Sequence, residues 1–204
     1  MKHRLSAIVV LLLISALALS ACAGAKPQAD GGMSGRMASA YIDMLASGTY
    51  FLKYIGETEF QGMELDVLTE AAVRDGDMAI LSRFGDDFST HIVLVGDKVY
   101  IIDHENETVA VMDEGDEMPS GDILPESGYI FVREGTSELL GVTRAYEEYY
   151  TDGGDVKFYF DGDDLIGFEL WYMDVAMQME VLEMSSKIPP DIFDIPQRYE
   201  VIEY

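Results

Sequence analysis

The chain of 204 residues has a single cysteine, Cys22, and so no internal disulfide and no thiolate metal cluster. Its folded part must rely on an apolar core. Basic residues are scarce, with 13 Lys and Arg against 38 Asp and Glu, for a formal charge of −25. A field of that sign repels phosphate backbones and anionic headgroups, which excludes nucleic acid as a partner. Catalytic signatures are missing as well. There is no metalloprotease helix motif, no Gly-x-Ser-x-Gly elbow and no phosphate-binding glycine loop. Two of the three histidines, His91 and His104, lie on and just beyond a predicted strand and match no motif. Acidic pairs of the kind that cut glycosides carry no meaning without geometry among so many carboxylates. The acidic turns Asp161-Gly162-Asp163-Asp164 and Asp113-Glu114-Gly115-Asp116-Glu117 lack the ligand register of a twelve-residue calcium loop. The expectation is a protein without enzymatic activity, metal or cofactor.

Long apolar runs are also absent, with one exception at the start. Lys2, His3 and Arg4 precede an almost wholly apolar stretch from Leu5 to Leu19, and small residues close it. This is the layout of a secretory signal over residues 1–21, and it is short for the roughly 20 apolar residues a membrane span requires. Leu19-Ser20-Ala21-Cys22 resembles the lipobox of bacterial lipoproteins. That resemblance implies diacylglyceryl attachment to the Cys22 thiol, cleavage just before it and further acylation such as palmitate. The alternative is an ordinary signal peptide or uncleaved anchor with a chance cysteine. Two or more acyl chains anchor stably where one does not. The implied location is a cell membrane or an outer membrane, with the domain facing outward or into the periplasm.

Removal of residues 1–21 leaves 183 residues, with 38 acids against 11 bases, a formal −27. A hydrophobic content of 49% argues for one domain with a real core. Residues 22–35 carry the cysteine and a tether without apolar periodicity, about 20 Å end to end as a random coil. The domain spans residues 36–204.

A short helix is predicted from Arg36 to Ala46, with Met37, Ala40, Tyr41 and Met44 on one face. From Thr49 the period switches to two. Met63, Leu65, Val67, Ala71 and Val73 share one face, while Glu64, Asp66 and Glu70 point the other way. Asp75-Gly76 is a hairpin turn, and Asp77–Phe84 returns. Strands are predicted at Ser89–Val95, Lys98–Asp103, Thr108–Met112, Tyr129–Val132, Val142–Thr151, Val156–Phe160, Leu165–Met173 and Ala176–Met184. Residues 113–127 form a long loop, a lid or a connection, whose Met118, Ile123 and Leu124 are able to dip inward. The proline-rich end from Ile188 to Pro196 is expected to run extended along an edge or rim. The methionines, eleven of them after the signal, and the Tyr146, Tyr149, Tyr150, Tyr159, Trp171 and Tyr172 set are expected chiefly in the core and in sheet packing.

One helix and about ten strands, with no βαβ rhythm, indicate a mainly β (α+β) protein, a single curved antiparallel sheet or unclosed barrel. In this respect the chain resembles the unclosed-barrel family of periplasmic lipoprotein carriers and outer-membrane lipoprotein receptors (LolA-like). The shared pattern is the amino-terminal helix, the Met63–Met112 meander, the Val156–Met173 hairpin, and the closing Phe193-Asp194-Ile195-Pro196 with Tyr199. The resemblance implies an acyl chain held between sheet and helix. No residue matches the carriers' latch arginine beyond Arg74 and Arg83, which lie at strand ends. Soluble carriers are not lipidated, so a receptor-like role is implied rather than a shuttle. The inward set expected to line the hollow is Leu65, Val67, Met78, Ile80, Ile92 and Leu94. The competing expectation is a cell-envelope interaction or sensory module with no ligand cavity.

Overall fold

The computed structural model describes residues 35–60, 63–85, 88–113, 124–125, 128–151, 154–172 and 175–203. The expected signal over residues 1–21, the lipobox-like Leu19-Ser20-Ala21-Cys22, nearly all of the expected tether and residues 114–123 and 126–127 of the mid-chain loop lie outside the described residues.

The helix α1 (Ser39–Ala46) is followed by β1 (Thr49–Phe60), β2 (Met63–Arg74), β3 (Asp77–Phe84), β4 (Phe88–Val95), β5 (Lys98–Asp103) and β6 (Thr108–Asp113). After the loop come β7 (Ile130–Leu139), β8 (Val142–Thr151), β9 (Gly154–Asp161), β10 (Asp164–Tyr172), β11 (Val175–Ser185) and β12 (Glu200–Glu203). All twelve join one open sheet in the order β12-β6-β5-β4-β3-β2-β1-β11-β10-β9-β8-β7. Neighbours are antiparallel except β12, which lies parallel to β6. The β2–β3 turn requires two left-handed residues in a row, and Asp75 (φ 54°) and Gly76 (φ 91°) provide them. That is the backbone twist a two-residue hairpin needs.

Period-two patterning divides the sheet into two apolar faces. On the inner face α1 packs Ile42 and Leu45 against Tyr50, Leu52, Ala71, Val73, Phe158 and Phe168, with Leu124 from the loop buried among them. The outer face of β1–β6 holds Phe51, Ala72, Ala79, Val93, Ile102 and Val109, closed over by Ile188, Ile192, Phe193 and Ile195. Gly167 permits a tight curl in β10. A Cβ there would lie 2.6 Å from the Met179 carbonyl oxygen and would also strike Leu139. Leu140 N–H and the Glu138 carbonyl meet the Gln178 side chain, so the β7–β8 hairpin bends over β10 and β11 on the outer face.

The fold class and the strand meander agree with the sequence reading, and several details differ; on the helix Ile42 and Leu45 are buried while Ala40, expected on the packed face, is exposed. β7 runs on through Arg133–Leu139, well past the predicted Val132, because an edge strand with much of both faces in solvent needs no apolar alternation. β12, beyond the last predicted strand, adds a further pairing at the opposite edge. The segment from Ile188 to Pro196 turns at residues 190–193 and lies across the outer face, where burial of Ile192 holds it, before β12 reaches the edge.

The helix begins at Ser39 rather than Arg36 because the amides before it are engaged elsewhere. Ala38 at the N-cap offers no side-chain acceptor. Glu147, buried on β8, accepts instead: Oε1 takes the Met37 N–H at 3.0 Å and Oε2 the Ala38 N–H at 3.0 Å. The Tyr149 hydroxyl donates to the same Oε2 at 2.8 Å. A carboxyl at a helix start also suits the helix dipole. Glu147→Ala would strand three buried donors, and is expected to lower unfolding free energy by about 3 kcal/mol in urea titration, with Glu147→Gln losing less. A loss below about 1 kcal/mol for the alanine variant would show that the helix start is held by other means.

Candidate functional site

The inner face away from α1 is an apolar floor set by register. One row runs Leu52, Ala71, Ile80, Ile92, Ile101, Ala110 across β1 to β6. The next runs Tyr50, Val73, Met78, Leu94, Val99, Met112. Near the helix these rows are sealed, with Tyr50, Leu52 and Ala71 at 0% exposure. Toward β3–β6 Val99 stays buried, but Met78, Ile80, Ile92, Leu94, Ile101 and Met112 are only half-buried. Apolar side chains left half-covered beside a sealed core form a floor on which an apolar ligand can lie.

Five of the six residues expected inward share this face by register. Met78, Ile80, Ile92 and Leu94 occupy the two rows above, and Val67, facing Phe84 across the ladder, sits on the same face. Leu65 stands opposite Thr58, two positions before Val67. Between these groups lies a band of hydroxyls that sequence reading missed. Tyr54, Thr69, Ser82 and Thr90 are cross-strand partners on β1 to β4, with Thr69 Oγ1 and Ser82 Oγ 3.2 Å apart. Burial pushes the Tyr54 phenol above its ordinary range, against a hydrogen bond with Thr69. The band was legible in principle, because Tyr54 and Thr69 are equidistant from the β1–β2 turn, but single hydroxyls in strands carry no signal of their own.

Arg74 and Arg83 do not enter this floor. Arg74 lies over the Phe193 ring at 4.4 Å and Arg83 pairs with Glu70 at 3.1 Å, both on the outer face. Burial raises Glu70, but hydrogen bonds from Lys53 and Arg83 outweigh it and hold the carboxyl below its ordinary range.

Two polar assemblies occupy the outer face. Arg133, Glu148, Lys157, Glu169 and Gln178 stand directly opposite one another on β7, β8, β9, β10 and β11, a ladder of alternating charge ending in an amide. Glu169 takes Lys157 at 2.5 Å, Trp171 Nε1 at 2.7 Å and Gln178 at 2.7 Å. Burial alone would raise its carboxyl, yet these donors hold it below the ordinary range. Arg133 and Glu148 thereby link β7 to β8, and Glu169 gathers β9, β10 and β11, which is structural work.

The second assembly joins the two histidines. His91 is buried, its Nε2 lies 2.7 Å from the Ile192 carbonyl and its Nδ1 3.2 Å from His104 Nε2. His104 Nδ1 lies 3.1 Å from the Tyr199 hydroxyl. A carbonyl only accepts, so His91 donates from Nε2 and its neutral Nδ1 accepts from His104, whose Nδ1 accepts from Tyr199. This chain straps the carboxyl-terminal segment to β4 and the β5–β6 turn. No His, Cys, Asp and Glu group among the described residues is arranged to hold a metal ion. No described helix is long and apolar enough to cross a membrane.

Neither a family model nor a curated protein matches the chain. Solved structures with a similar outline include an uncharacterized conserved protein from Thermus thermophilus, at TM-score 0.45 and 12% identity, covering 83% of this chain and 100% of that one. LprF from Mycobacterium bovis is similar at TM-score 0.44 and 6% identity over 75% of this chain and 93% of that one. A LolA superfamily protein from Nitrosomonas europaea is similar at TM-score 0.34 and 7% identity over 78% and 97%.

Burial pushes the His91 imidazole below its ordinary 6.5, opposed by the Ile192 carbonyl and by Asp191 and reinforced by His104 and Arg83. Below pH 6.5 the unfolded chain therefore takes up a proton that the folded chain refuses, and stability falls as the pH drops through that window. Urea midpoints at pH 7.5 and pH 5.5 are expected to differ more in the native chain than in His91→Gln, which keeps a donor for Ile192. Equal differences in the two would remove His91 from the account.

Proposed function

We propose that this protein is a lipid-anchored envelope protein that holds an apolar ligand of acyl type on the inner face of its sheet. The half-buried floor of Met78, Ile80, Ile92 and Leu94 beside a sealed helix–sheet core is the observation that carries the reading. Burial of apolar surface supplies the affinity, at about 25 cal/mol per Å² removed from water.

Anchoring is supported by residues 1–22 alone: a basic start, an apolar run, and Leu19-Ser20-Ala21 ahead of the chain's one cysteine. In this reading cleavage exposes Cys22, acylation holds it in a bilayer, and residues 23–35 let the domain reach ligand near the headgroups. The acidic character keeps such a domain soluble and separate from its neighbours.

Two measurements test the parts separately. The mass of the amino-terminal peptide from protein purified out of host membranes is expected to start at Cys22 and carry acyl chains. An unmodified thiol would defeat the anchor. For the site, native mass spectrometry is expected to find co-purifying lipid. Ile92→Glu is expected to weaken binding of a fluorescent fatty acid at least about tenfold, since the charge must be desolvated beside the ligand. Equal fatty-acid binding by Ile92→Glu and the native chain, or an absence of bound lipid, would defeat the site.

A further inference from the structure

Exposed apolar side chains gather at one corner of the domain. Of nine large hydrophobic residues exposed among those described, four lie together: Ile130 (63%), Val132 (50%), Tyr150 (51%) and Trp171 (44%). Ile130 faces Tyr150 on the outer side of β7 and β8, and Tyr150 faces Asp155 on β9. Trp171 follows Leu170, the partner of Val156, and so stands level with Asp155 on β10. An aliphatic residue, a tyrosine and the only tryptophan of the chain thus form one exposed row at the open edge of the sheet. The Trp171 indole is oriented by its N–H bond to Glu169.

The first described residues meet the same edge strand, β7, on its inner face. Arg36 lies over the ring of Phe131, the neighbour of Ile130, at 3.4 Å, and binds Glu134 at 2.6 Å. The described chain therefore begins beside the β7 edge. In sequence only residues 23–35 separate that edge from Cys22, a span of about 20 Å for a random coil of that length. Bases are denser here than in the chain as a whole, which has 13 Lys and Arg against 38 Asp and Glu. Arg36 and the exposed Arg133 stand against Glu134, Glu148 and Asp155.

We infer that the Ile130–Tyr150–Trp171 row is the surface on which the anchored domain rests against the membrane. The inference rests on the proposed acylation of Cys22. Tryptophan and tyrosine favour the headgroup region because each couples an apolar ring to a polar tip. With Asp155 in the row and a large negative charge overall, the chemistry suits a zwitterionic surface rather than an anionic one.

A single tryptophan makes the test direct. Full-length lipidated protein would be reconstituted into phosphatidylcholine vesicles with or without bromine on the acyl chains. Trp171 emission is expected to shift to the blue and to fall severalfold in the brominated vesicles. Ile130→Glu, an exposed position that leaves the core untouched, is expected to restore much of it. Protein that floats with the vesicles but is unquenched would overturn the inference and leave the anchor standing. Protein that fails to float would overturn both. A blue shift that depends on protein concentration without lipid would assign the row to a second copy of the chain and overturn it as well.

Discussion

A buried carboxyl fixes how this sheet is covered. Glu147 sits on the inner face of β8, where a bare carboxyl would be costly, and finds its donors in the two backbone amides that precede α1 and in Tyr149. The trade settles both sides at once. The helix receives the cap that Ala38 cannot supply, and the carboxyl receives three hydrogen bonds in place of water. Burial, followed by the bond to Glu147, in turn pushes the Tyr149 phenol far above its ordinary range, so it remains a donor at any physiological pH. With its start fixed on β8 and its end leading straight into β1, α1 covers one half of the inner face and leaves the β3–β6 half less covered.

The two halves of the sheet are stabilised by different means. Around β1–β6 the outer face is aliphatic and needs the carboxyl-terminal segment as a cover, fastened through the histidine–tyrosine chain. Around β7–β11 it is spanned by the ladder from Arg133 to Gln178 and shut by the β7–β8 hairpin folding over Gly167. The first arrangement leaves the β3–β6 half of the inner face less covered. The second makes a rigid body that carries the helix and, at its edge, the exposed aromatic row.

Alternation was the most informative signal in the sequence. Val67, Met78, Ile80, Ile92 and Leu94 come from β2, β3 and β4, where a tight Asp75-Gly76 turn and regular apolar spacing leave one register open, and share one face by register. Pairings across longer distances were not legible. Nothing local links Glu147 to Met37, since that contact depends on how far the sheet curls. His91 and His104 are near in sequence, but their approach follows from a register in which His91 faces Ile102. The β7 strand escaped because Arg133-Glu-Gly-Thr-Ser-Glu138 is exposed at an edge and carries no apolar period. Cys22 and its lipobox lie outside the described residues and stand on their motif alone.

Hydrogen exchange at single-residue resolution tests the central claim most directly. If Glu147 holds the helix start, the amides of Met37 and Ala38 should exchange as slowly as those in the centre of β8, although they precede the first turn of a short helix, where fraying is normal. Exchange of both amides at the rate of an exposed chain end, with β8 still protected, would mean that the carboxyl does not hold the helix and that the inner face is covered in some other way.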